Sequence, residues 1–178
     1  MKNDLANIMI DENALRGRIQ TLADEINRDY QGGELVMICI LRGAIMFYAD
    51  LIRNIDVKVV TAFMAVSSYG SGTHTSGSIR LSYDLDEDIT GKDVLIIEDI
   101  IDSGLTIQYL IKSLSAKGPK SIKTCCLLDK PSRRIVDYKP DYTGFEIEDG
   151  FVVGFGLDYD EKYRNLDVIG ILKEEIYS

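Results

Sequence analysis

The chain is short of the features that would place it at once in several function classes. It has three cysteines and one histidine, and no spacing among them resembles a zinc site. Cys125 and Cys126 are neighbours in a strand-like run. Successive strand residues point to opposite faces, so the two are badly placed to bond each other. With Cys39 they read as buried free thiols of a protein kept in a reducing cytoplasm. Positive charge is scarce too: 20 Lys and Arg against 29 Asp and Glu leave a net charge of −9. That opposes a nucleic-acid or membrane-surface partner, because phosphate backbones and anionic lipids require basic patches. The longest apolar runs, such as "LVMICIL" at Leu35–Leu41, are far too short to cross a bilayer. The opening "MKNDLANIMI" is broken by Asp4 and Asn7 and does not read as a signal peptide. There is no repeat, low-complexity tract or linker, and 178 residues suit one domain spanning 1–178. Neither GxxxxGK followed by Ser or Thr, nor GxGxxG after the first strand, occurs. A P-loop nucleotidase and a dinucleotide-binding Rossmann domain are therefore both disfavoured.

What is present is a regular alternation. Asp11 can cap a helix in which Leu15, Ile19, Leu22, Ile26 and Tyr30 recur on one face, and Gly32-Gly33 ends it. "ELVMICIL" then reads as a fully buried strand, "IMFYADLIRNI" as a helix, and "VKVVTAFMAVSSY", apolar on both faces, as a central strand. The segment from Gly70 to Ser78 has no core-forming residue and reads as a mobile loop, and "IRLSYDL" as a strand leaving it. "SIKTCCLL" is one more buried strand, and the more polar C-terminal part is expected to supply strands in "FEIEDGFVVGFGLDY" and "DVIGILKEEIY". Strands alternating with helices predict an α/β fold with a mainly parallel sheet flanked by helices. In such sheets ligands bind beyond the carboxyl ends of the strands. That rule points to "LRGA", "IIEDIIDSGLT" and "LLDKPSRR".

The most informative stretch is "DVLIIEDIIDSGLT", Asp93 to Thr106. A buried strand runs straight into Glu98, Asp99 and Asp102, and carboxylates are rarely buried without compensation. "DSGLT" opens a helix, where unpaired N–H groups and the helix dipole form an anion site. Gly104 permits close backbone approach, and Ser103 and Thr106 add hydroxyls. Taken alone, this half is more often a plain N-cap, and the acids alone are more often solvated loop residues. Together they describe a site for a sugar phosphate, with paired carboxylates suited to Mg²⁺ or ribose hydroxyls.

This segment closely resembles the phosphoribosyl-pyrophosphate (PRPP) motif of the type I phosphoribosyltransferases. With "LRGA", "SSYG", "LLDKP" and "GFVVGFGLDYDEKYRNL" the chain is similar to the hypoxanthine-guanine branch of that family. The resemblance implies the family's fold, with a small hood built from the chain ends. It implies a Mg²⁺-dependent salvage enzyme that transfers 5-phosphoribose from PRPP to hypoxanthine, guanine or xanthine, as a homo-dimer or homo-tetramer. It also implies roles. Glu98 and Asp99 would meet the ribose hydroxyls and, with Asp158, the metal. Asp102 would be the acid or base beside the purine. Ser103, Gly104, Leu105 and Thr106 would line the 5′-phosphate loop. Arg42, Gly43 and Arg164 would contact pyrophosphate, with a cis peptide before Arg42, where the family often has Lys. Lys130 would donate to the purine 6-oxygen, Phe151 would stack on the base, and Val152 and Asp158 would lie at its edge. Ser68 and Tyr69 would start the flexible loop. His74, Arg133 and Arg134 read as exposed residues without a catalytic part. A second reading on the same scaffold is a nucleotide-sensing RNA-binding regulator, against which the net charge and the lack of a basic stripe count.

Overall fold

The structure is a computed structural model and describes residues 1–68 and 79–178. Tyr69 and the whole expected loop from Gly70 to Ser78, His74 included, lie outside the described residues. The main sheet has six strands. In spatial order they are β4 (Ile79–Tyr83), β3 (Lys58–Ser68), β2 (Glu34–Leu41), β5 (Asp93–Ile101), β6 (Ser121–Asp129) and β7 (Tyr142–Glu146). All neighbours are parallel except the edge strand β4, which runs antiparallel to β3. Helices cover both faces. α1 (Glu12–Asp29) and α2 (Ile45–Ile52) pack Leu15, Ile19, Leu22, Ile26 and Phe47 on one side, with Leu35, Met37 and Cys39 of β2. α3 (Leu105–Ser115) packs Ile107, Leu110 and Leu114 on the other, with Val36, Ile38 and Ile40. The unbroken apolar run of β2 thus serves two cores at once, as a strand covered on both faces should.

Local signals set the ends of the first helix as expected. The Ala14 N–H donates to the Asp11 carboxylate at 2.9 Å, and Gly32 follows the helix at φ +76°. The three thiols are free and buried, with Cys39 and Cys125 in one core and Cys126 in the other. Burial pushes each thiol's pKa up, which leaves them unreactive.

The chain ends meet in a second, three-stranded antiparallel sheet of β1 (Leu5–Ile10), β9 (Ile169–Leu172) and β8 (Val152–Val153). The C-terminal strands are shorter than the apolar pattern suggests. "FEIEDGFVVGFGLDY" splits into β7 and the two-residue β8, and "DVIGILKEEIY" divides between β9 and a short helix α4 (Glu174–Tyr177). β8 stops where Gly154, Phe155 and Gly156 follow it, all at positive φ, where no strand can continue. Among the described residues, no helix is long and apolar enough to cross a membrane.

Candidate active site

The carboxyl ends of β2, β5 and β6 lie side by side, so the three segments singled out by the strand-end rule open along one edge of the sheet. They form two cavities. The first, of about 320 Å³, is lined among others by Arg42, Gly43, Glu98, Asp99, Thr106 and Arg164. Asp158, Ser103 and Gly104 line it as well. The second, of about 510 Å³, includes Lys130, Asp149, Phe151, Val152, Leu157 and Tyr177. Ile100 and Asp102 belong to both linings. Leu105 lines neither; its N–H donates to Ser103 Oγ at 3.4 Å. Asp158 sits on the first cavity rather than the second. Ser68 ends β3.

The helix entrance is left largely open by its N-cap residue. Gly104 occupies the N-cap position at φ +85° and has no side chain to cap α3. Apart from Leu105, whose N–H reaches Ser103 Oγ, the first-turn N–H groups keep their capacity for a ligand. Gly104 is also fixed by space, since a Cβ there would come within 2.5 Å of Val136 and 2.8 Å of Arg134.

The loop after β2 is held just as tightly. The Leu41–Arg42 peptide is cis. A Cβ on Gly43 would overlap the Asp99 carboxylate, and a Cβ on Gly156 would overlap the Gly43 carbonyl. Three remote segments thus stack through two glycines. Gly43→Ala is expected to lower stability by about 1–3 kcal/mol, the usual cost of overpacking. Denaturant unfolding reads it; an unchanged stability would mean that the Asp99 side chain simply turns aside.

Glu98 and Asp99 lie within β5 rather than in the loop after it, and are less exposed than solvated loop residues would be. Glu98 is a buried residue, at 6% exposure, and does not face outward. Burial, then the neighbouring Asp99 charge, pushes the Glu98 carboxyl well above its ordinary range. Burial raises Asp99 as well, offset by the Ile100 N–H, which donates to its carboxylate at 2.8 Å, and by Arg164. Two adjacent carboxyls pushed upward in this way favour hydroxyl donors or a cation as neighbours. Among the described residues no cluster of three or more His, Cys, Asp or Glu forms a ready metal cage. Mg²⁺ does not need one: it binds through one or two carboxylates and completes its shell with waters and substrate oxygens. Glu98, Asp99 and Asp158 all line the first cavity, so one or two of these carboxylates are available there for such an ion.

The cations are already engaged. Arg164 donates to the Gly156 carbonyl at 2.8 Å and pairs with Asp158 at 2.8 Å. Glu161 bridges Arg164 at 3.3 Å and Arg42 at 2.9 Å. In the second cavity Lys130 is 5% exposed and donates to the Gly150 carbonyl at 2.6 Å, with Asp149 at 3.6 Å. One face of Phe151 is covered by Tyr177, stacked at 4.7 Å between centroids.

Arg134 does not fit its reading as an exposed residue. It forms a buried ion pair with Asp129 and donates to the carbonyls of Asp102 (2.9 Å), Tyr138 (2.6 Å) and Ile101 (3.3 Å). It clamps the turn that carries Asp102. Nothing local in "PSRR" separates it from Arg133; the distinction arises only when β5 and β6 pair.

A family model described as "Phosphoribosyl transferase domain" matches residues 9–160. The hypoxanthine-guanine phosphoribosyltransferase of Bacillus subtilis (strain 168) is 48% identical over 177 residues, spanning 99% of this chain and 98% of that protein. A crystal structure of a hypoxanthine phosphoribosyltransferase from Staphylococcus aureus superposes with a TM-score of 0.96 at 44% identity, covering 100% of this chain and 97% of that one. A Trypanosoma cruzi hypoxanthine phosphoribosyl transferase, studied for the role of its C-terminal region in oligomeric state and enzymatic activity, gives 0.91 at 40% identity, over 97% and 94%.

Proposed function

Because the chain belongs to the phosphoribosyltransferase family, and within it to the hypoxanthine-guanine phosphoribosyltransferases, we propose an assignment of its residues to the steps of that reaction. The enzyme transfers 5-phosphoribose from PRPP to a 6-oxopurine, hypoxanthine or guanine, and releases pyrophosphate. The 48% identity to an enzyme over 99% of the chain favours this over the RNA-binding regulator. The observation that carries the assignment is the pair of cavities that share Ile100 and Asp102. One is built for anions and hydroxyls, the other for a flat ring, and the new bond forms where they meet.

The 5′-phosphate sits on the first turn of α3, held by backbone N–H groups and the hydroxyls of Ser103 and Thr106. Glu98 and Asp99 accept from the ribose hydroxyls. The pyrophosphate lies on the Arg42–Gly43 turn, where Arg42 and Arg164 exchange Glu161 for its oxygens. When the bond at the ribose carbon breaks, the sugar takes cationic character, and the nearby carboxylates favour that charge. Asp102 holds the proton of the incoming purine. Glu98, Asp99 and Asp158 would hold Mg²⁺, which when bound would supply charge neutralisation for the departing pyrophosphate. Removal of divalent cations with a chelator is expected to abolish turnover, with added Mg²⁺ restoring it. Persisting activity would remove the metal from the scheme. Assembly as a homo-dimer or homo-tetramer is proposed from the relatives and is read by light scattering.

Lysine has donors and no acceptor, so Lys130 suits an oxygen at the purine 6-position and opposes an amino group. Its Nζ already satisfies the Gly150 carbonyl, which fixes the ammonium at the cavity wall and leaves donors for the base. Lys130→Ala is expected to raise KM for hypoxanthine and guanine by about 10- to 100-fold, the scale of one charge-assisted hydrogen bond. PRPP affinity should stay within about threefold, a margin below that scale. Side-by-side kinetics test this, and an equal loss for PRPP would make Lys130 a structural residue. The whole assignment is tested by mixing protein, PRPP, Mg²⁺ and each base: no turnover with any 6-oxopurine would overturn it.

A further inference from the structure

The sequence offers Arg133 as a charged surface residue, and its side chain is indeed half-exposed, at 50%. Its contacts are out of keeping with that role. Arg133 lines the ring-binding cavity, and its Nε lies 3.2 Å from Asp102 Oδ1. That oxygen is buried and has no hydrogen-bond partner among the described residues. The guanidinium is thus near enough to pair with it as a charge without being aligned as a donor. The other end of the guanidinium points the opposite way, with Nη1 donating to Asp149 Oδ1 at 3.3 Å. Asp149 in turn stands 3.6 Å from Lys130 Nζ. Its carboxyl is held below the usual range, first by the Arg133 hydrogen bond and then by the Arg133 and Lys130 charges. Carboxylate, guanidinium, carboxylate and ammonium therefore alternate along the wall of the ring-binding cavity, from the residue assigned to the purine proton to the residue assigned to the 6-oxygen.

Resting on the reaction assigned above, we propose that Arg133 is a positioning residue. It fixes the rotamer of Asp102 so that one carboxylate oxygen faces the shared wall of the two cavities, and Asp149 anchors it from behind. The physical need is plain. Arg134 holds the main chain of residues 101–102 but leaves the Asp102 side chain free to turn. A carboxylate on a turn samples several rotamers, and a proton acceptor out of place by about 1 Å can cost about 10²-fold in rate. A half-exposed ion pair contributes little to stability, so the effect belongs to geometry and turnover rather than to folding. The alternation of charges also gives the purine a fixed span between the two readers of its edge.

The test is a kinetic cycle on the full-length enzyme with Arg133→Met, Arg133→Lys, Asp102→Asn and the double variant Arg133→Met/Asp102→Asn, alongside thermal unfolding. Arg133→Met should lower kcat by about 10- to 100-fold, with KM for PRPP and Tm close to wild type. Arg133→Lys should recover part of the loss. The double variant should be no slower than Asp102→Asn alone, because orienting a group that no longer takes the proton has no value. Undiminished kcat in Arg133→Met, or losses that multiply in the double variant, would overturn the proposal while leaving the enzyme assignment intact. A wild-type protein without activity on any 6-oxopurine would overturn both.

Discussion

Asp102→Asn is expected to lower turnover by about 10²- to 10⁴-fold, the range for loss of a general acid or base, with PRPP affinity nearly unchanged. The expectation comes from location. Asp102 lies on the wall common to both cavities, where the assignment proposed above brings the ribose carbon and the purine nitrogen together. The buried Oδ1 has no hydrogen-bond partner among the described residues. A buried polar atom left so is expensive unless a ligand completes it. Asparagine keeps the shape and the main-chain contacts of the turn, so the phosphate cradle of α3 should survive. Rapid-mix turnover measured beside a calorimetric PRPP titration separates the two quantities. Turnover within threefold of wild type would remove Asp102 from proton transfer, and a parallel collapse of PRPP binding would recast it as a structural residue.

Arg134→Met is expected to be the most destabilising of the substitutions considered. Arg134 and Asp129 are each 10% exposed at the side chain, and removing one partner of a buried pair typically costs about 3–5 kcal/mol because the other charge stays buried. For a chain of this size that corresponds to a fall in Tm of about 6–20 °C. The guanidinium also serves three carbonyls, which methionine cannot do. Arg134→Lys should recover only part of the loss, since an ammonium keeps the charge but lacks the planar fork. Differential scanning calorimetry decides it: a Tm within about 3 °C of wild type would show that the turn is held by the sheet alone. Where the variant still folds, its kcat should fall too, because the main chain under Asp102 is released.

Much of this architecture is legible in the residues. Runs such as Val36–Ile40 and Val94–Ile97 are apolar on both faces, which only a strand covered twice can satisfy. The period of α1 and its Asp11 cap are local signals, and local signals survive folding. "DSGLT" marks the start of α3, because glycine and hydroxyl residues favour a helix entrance. What escaped depends on segments far apart in sequence. The hood itself is expected from the family resemblance, but its register, Leu5 with Leu172 and Val153 with Gly170, is set only when the two chain ends meet. The burial of Glu98 follows from its neighbours across β6, not from its position at a strand end. Arg133 and Arg134 are adjacent and chemically identical, yet one lines a cavity at half exposure and the other is sealed against Asp129. Gly43 looks like an ordinary turn glycine until the Asp99 carboxylate is placed against it.

The common wall formed by Ile100 and Asp102 has a consequence for ligand design. Two cavities separated by two side chains can be bridged by one molecule. A compound that joins a phosphate-bearing arm to a flat oxygen-bearing ring through a spacer as short as that wall would place its second head at an effective concentration in the millimolar range. Its affinity would then exceed that of either fragment by about 10²- to 10⁴-fold without any new contact. The gain would vanish when the spacer is too short to clear Asp102, and would fall away slowly as it is lengthened. A series of spacers therefore becomes a ruler for the distance over which the enzyme brings its two substrates together.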